Sequence, residues 1–165
     1  MADYPYTINS ARVTPLGLQE QVALKGCNIR WKVLYSDITA AASANTAGDT
    51  AATVTCTLGT TPTNYYIDQG LVTITTAFAG VTSQALAMVV GTTSSTAALI
   101  SSTSVFTVAT LNMASTVPIM TNLKATAAVN LVAVFTNSGG GTPSTLTAGE
   151  LNIYAHLVDV SDFGT

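Results

Sequence analysis

Few residues in this chain could do acid–base or nucleophilic chemistry. The one histidine, His156, lies in TAGELNIYAHLVDV (Thr147 to Val160), with Glu150 before it and Asp159 after it. An imidazole oriented by a carboxylate would make a general base. Alternation predicts a strand here, so Glu150 and His156 share a face. They stand six residues apart, roughly 20 Å along an extended chain. Asp159 falls on the opposite face. Neither acid orients the imidazole from within the strand, and from Thr50 to Gly149 the charged residues are Asp68 and Lys124. His156 is expected to be a structural or interface residue.

Other chemistry fares no better. Serine and threonine abound, but there is no G-x-S-x-G elbow and no second histidine to act as base. NSGGGT (Asn137 to Thr142) lacks the Lys-Ser/Thr and the helix of a phosphate loop, so a turn is expected. DFG (Asp162 to Gly164) stands without any other kinase element. Asp159 and Asp162 do not form a metal loop. Cys27 and Cys56, far apart and with one distant histidine, make no zinc set and read as small buried residues. We therefore expect no catalytic, cofactor-binding or metal-binding residues and no enzymatic activity.

Charge is scarce as well. Only 8 % of the 165 residues are charged, and the net charge is −3. Four of the five basic residues (Arg12, Lys25, Arg30, Lys32) lie in the first 32 positions. Five cations offset by eight acids cannot neutralise a phosphate track, so nucleic acid is not an expected partner. Nor is a membrane: the uncharged run from Ala77 to Ile100 is broken by Gly80, Gly91 and Thr92 to Thr96, which suits strands and a turn. MADYPYTINS has neither the basic nor the apolar region of a signal peptide, so folding in a cytoplasm is expected. The missing surface charge points to surface buried against copies or partners, or solvated by hydroxyls.

The elements that would position any site are strands. NIRWKVLY (Asn28 to Tyr35) and AATVTCTL (Ala51 to Leu58) alternate cleanly, as do ATAAVNLVAVFT (Ala125 to Thr136) and ELNIYAHLVDV (Glu150 to Val160). GLVTITTAF (Gly70 to Phe78), QALAMVVG (Gln84 to Gly91) and TSVFTVAT (Thr103 to Thr110) also read as strands. LGLQEQVALKG (Leu16 to Gly26) could form a turn or two of helix ending at Gly26. TAAASANTAGDTA (Thr39 to Ala51) reads as a surface loop, with a poorly ordered helix as the alternative because alanine is frequent. The pattern predicts an all-β fold, an antiparallel β-sandwich of jelly-roll type over residues 26–165. Its core should hold Trp31, Val54, Val72, Ile74, Leu131, Phe135 and Ile153. Residues 1–25, with Pro5 and Pro15, read as an extended arm. Tyr4, Tyr6 and Arg12 are the candidate partner-binding residues on it. The arm could lie along a neighbouring subunit or pack back on its own sandwich. Tyr65 and Tyr66 in TNYYIDQG could offer an aromatic platform to a glycan, in a carbohydrate-binding module.

Two segments carry a resemblance. LTAGELNIYAHLVDVSDF (Leu146 to Phe163) joins a polar loop, TAGE and one alternating strand that ends in a hydrophobic-Asp pair. GLVTITTAFAGVTSQALAMVVGTT (Gly70 to Thr93) joins a strand, TAFAG, a polar bend and a strand ending VG. Both resemble small structural proteins of tailed bacteriophages, of the capsid cement or decoration type. The resemblance implies a homotrimeric β-sandwich on the virion surface that clamps neighbouring major capsid subunits. A head fibre, spike or tail-associated protein is the alternative place in the virion.

Overall fold

The structure, a computed structural model, describes residues 13–24, 26–43, 53–61, 65–80, 86–97, 99–105, 110–112, 129–139 and 141–159. Two antiparallel sheets dominate it. The strands are β1 (Val13–Pro15), β2 (Ile29–Leu34), β3 (Thr53–Thr61), β4 (Tyr65–Ala79), β5 (Leu86–Thr92), β6 (Ile100–Ser104), β7 (Thr110–Asn112), β8 (Val129–Asn137) and β9 (Ala148–Asp159). Sheet A runs β1-β2-β9-β4-β7 and sheet B runs β3-β8-β5-β6. The pairings nest in sequence: β2 with β9, β3 with β8, β4 with β7, β5 with β6. The chain is thus folded like one long hairpin, and two further pairings, β4 with β9 and β5 with β8, roll it up.

Strict alternation explains why these segments pair as they do. In β2, Ile29, Trp31 and Val33 are buried, while Arg30, Lys32 and Leu34 are half-buried on the other face. In β9, Leu151, Ile153, Ala155 and Leu157 point into the same core. Strand β4 changes parity: Ile67 is core, and after a bulge between Ile67 and Gln69 the core positions become Val72 and Ile74. An extra residue in one strand shifts every later side chain to the other face. Side chains of both sheets form one buried cluster, within which Phe78 of β4 and Phe135 of β8 lie with ring centroids 6.0 Å apart. All seven expected core residues are buried in it.

Two helices complete the described fold. Helix α1 (Leu18–Ala23) is short, begins where the Glu20 carboxylate accepts from the Gly17 N–H (3.1 Å), and stops before Gly26 at φ 89°. That is the left-handed conformation glycine tolerates best. Helix α2 (Tyr35–Ser43) corrects the loop expected from Thr39: its residues 39–43 are helical. Asp37, in the first turn, accepts from the Leu34 N–H (2.8 Å), half of a reciprocal cap. Alanines favour the following turn, and Ile38 and Ala42, one turn apart, enter the main core. Of the strand expected over Thr103 to Thr110, Thr103 and Ser104 belong to β6 and Thr110 to β7, and residues 106–109 lie outside the described residues. β6 ends at Ser104, and Val105 leaves the ladder to bury its side chain while its N–H bonds Leu86 O at 3.2 Å.

The described end of the N-terminal segment packs on its own chain. β1 pairs with β2, with Val13 opposite Trp31. Leu16 then joins Cys27 and Leu71 in a small apolar cluster against the outer face of sheet A.

Candidate functional site

The ionisable groups gather on the outer face of sheet A. Register aligns Lys32 of β2, Asn152 of β9 and Thr73 of β4 in one row, and Arg30, Tyr154 and Leu71 in the next. At the end of the face Lys32 Nζ meets Glu150 Oε2 at 3.0 Å, and Thr75 Oγ1 donates to Glu150 Oε1 at 3.1 Å. The Lys32 hydrogen bond is the main reason the Glu150 carboxyl titrates below its usual range. Thr75 and the nearby charges of Lys32 and Arg30 add to this, and partial desolvation opposes them. The ion pair spans β2 and β9, and the threonine ties in β4. It is a cross-strand clasp.

His156 is not part of that clasp. It sits opposite Gln69, at the far end of β9 from Glu150. The acid nearest to it in sequence on the same face is thus committed to lysine. Among the described residues no group of three or more His, Cys, Asp or Glu could hold a metal ion. Cys27 and Cys56 are both buried, and burial pushes the Cys56 thiol up to about 12. A thiol held so high carries almost no thiolate at neutral pH and is a poor nucleophile.

A cleft of about 240 Å³ opens where α2 bridges the edges of the two sheets. Trp31 and Val33 of β2, Ala41 of α2 and Cys56 and Leu58 of β3 wall it, with Asp37, Thr55 and Thr57 at hand. Its lining mixes these apolar side chains with Lys32, the two threonines and the Asp37 carboxylate, which already accepts from the Leu34 N–H.

Sheet B presents a different surface. No residue of β3, β5, β6 or β8 is Asp, Glu, Lys, Arg or His. Its outer face exposes Thr53, Thr55, Thr57, Asn130 and Thr136, with Ala87 and Val89 half-buried and Val134 buried among them. The turn after β5 folds over Gly91, whose position leaves no room for a Cβ against Ser95 and Thr96, beside the buried Val132. The face is therefore neutral, hydroxyl-rich and studded with β-branched side chains.

The expected partner-binding residues Tyr4, Tyr6 and Arg12 lie outside the described residues. Tyr65 and Tyr66 open β4 and pair with Asp159 and Val158, so they belong to a strand and not to a loop. Sequence reasoning missed the contrast between the two outer faces. Its signal was present in the near absence of charge from Thr50 to Gly149, which covers every strand of sheet B. No family model, curated protein or solved structure matches the chain.

Proposed function

We propose that this chain is a non-enzymatic virion structural protein, a capsid cement or decoration protein that bridges major capsid subunits. The carrying observation is the electrostatic difference between its faces. Sheet A turns Arg30, Lys32 and Glu150 outward, whereas the strands of sheet B hold no charge. An uncharged face of threonine and valine can meet a protein surface with little desolvation of charge. The charged face suits solvent.

The nested strand pairing supports reading the two sheets as a jelly-roll β-sandwich. Jelly rolls serve in viral shells and in lectins, so the fold by itself leaves both open. Multivalence supplies the mechanism. Copies of the chain, three in the proteins it resembles, each make a weak contact with the major capsid protein, and the repeating shell adds them up. The protein would fold in the host cytoplasm and act on the capsid surface.

The test is co-sedimentation of the purified chain with capsids that lack it. Saturable binding supports the reading; a chain that stays in the supernatant overturns it. A place elsewhere in the virion, in a head fibre, spike or tail, would show as binding to those parts and not to capsids. The carbohydrate-binding reading rests on Tyr65 and Tyr66, and silence on a glycan array removes it.

A further inference from the structure

Asn152 faces outward from β9, the middle strand of sheet A, yet its residue is only 7 % exposed. It therefore sits in a recess among its neighbours. Lys32 and Thr73 stand beside it in register, and Glu150 and Tyr154 lie two residues before and after it on the same face. Arg30 is the diagonal neighbour, opposite Tyr154. A carboxamide this buried ordinarily spends its donors and acceptor on the protein. Among the described residues the Asn152 side chain makes no hydrogen bond. Arg30 shares this condition. Its Nε is shielded from solvent without a hydrogen-bond partner, and among the described residues its guanidinium has no ion pair. Its charge acts on Glu150 only through space. Glu150 is already engaged, by Lys32 and Thr75.

We infer that this part of sheet A is a binding site for a carboxylate, held by the Arg30 guanidinium and the Asn152 amide. A guanidinium whose stem is packed, and whose fork has no acid of its own, is organised in advance for a planar carboxylate. The Asn152 amide adds a donor at the floor of the recess. Tyr154, packed on the small apolar cluster of Leu16, Cys27 and Leu71, gives the site an apolar wall, which strengthens an ion pair beside it. Charge selects among anions. Arg30 and Lys32 bring two positive charges and Glu150 one negative, so a monoanion neutralises the group. A phosphate or sulfate dianion would exceed that balance and meet the Glu150 carboxylate at close range. The site goes beyond the capsid reading, which rests on sheet B, and does not depend on it.

The test is an NMR titration of the full-length, unmodified chain with acetate, and separately with chloride and phosphate at matched ionic strength. The side-chain N–H signals of Arg30 and Asn152 should shift together and saturate with acetate, and respond less to the other two anions. Arg30→Lys keeps the charge and loses the fork, so it should weaken acetate binding at least about tenfold. A blocked tripeptide with a central glutamate separates the two sources of a carboxylate. Tighter binding than acetate assigns the site to an acidic side chain of a protein partner, and equal binding assigns it to a free small carboxylate; both support the site. Shifts that rise without saturating, that chloride reproduces, or that phosphate produces at lower concentration overturn the inference, as does Arg30→Lys that binds acetate as wild type does. If Arg30→Lys does not fold, the titration of the unmodified chain still decides.

Discussion

Single residues hold the ends of this fold together. Asn28, just before β2, brackets Leu157 of β9: its Nδ2 donates to Leu157 O (2.8 Å) and its Oδ1 accepts from Leu157 N (2.9 Å). The side chain thus extends the ladder by one imitation backbone pair. Asn28→Ala should lower stability by about 1–3 kcal/mol, since both Leu157 groups lose a partner. Urea unfolding checks this. Glu150 behaves differently, because it is only half-buried and its ion pair remains open to solvent. Its carboxyl is held below the ordinary value of 4.5, so its contribution is present above that pH and is lost as pH falls through the lowered value. Glu150→Gln should cost at most about 1 kcal/mol at neutral pH and less at high salt. The difference from wild type should shrink as pH falls through the lowered value and vanish once the carboxyl is protonated in both folded and unfolded states. The sequence made it legible that Glu150 and His156 cannot pair. That Lys32 would be Glu150's partner was not, because it depends on β2 lying beside β9, a contact between distant parts of the chain.

At the level of elements, the two aromatic rings at the centre matter most. Phe78 and Phe135 are buried on different sheets and in contact. Phe135→Ala should cost about 3–5 kcal/mol, the lost burial plus the cavity left between the sheets. Gly149, at φ 142°, lies against the Phe78 ring with no space for a Cβ. Gly149→Ala should therefore also destabilise the fold, through strain and through displacement of the ring; thermal melting of both variants would show it. Strands β2, β3, β8 and β9 were legible because period-two alternation puts their apolar residues on one face. β6, ISSTS, was not, since almost all of its residues are Ser or Thr and its place in the sheet comes from β5. α2 was read in part as a loop because its small residues carry a weak apolar pattern, Ile38 and Ala42. Its cap on Leu34 and its docking over the gap between sheets make it a helix. The length of β4 was underestimated because its bulges break alternation.

The whole molecule has two unlike sides. The charged residues of the described sheets lie on sheet A, and the strands of sheet B present hydroxyls and aliphatic groups. Composition made the scarcity of charge legible, but its segregation became visible only when β3, β5, β6 and β8 were known to share a sheet. If sheet B is the docking face, a charge there should matter more than the loss of one on sheet A. Thr136 is exposed on β8 of sheet B, and Lys32 is on β2 of sheet A. The decisive measurement is a sedimentation titration of wild type, Thr136→Lys and Lys32→Ala against capsids lacking the protein. The account predicts saturable binding by wild type and Lys32→Ala, and binding weakened at least about tenfold for Thr136→Lys, where a charge must be desolvated. Wild type that fails to bind, or Thr136→Lys that binds as wild type does, would contradict it.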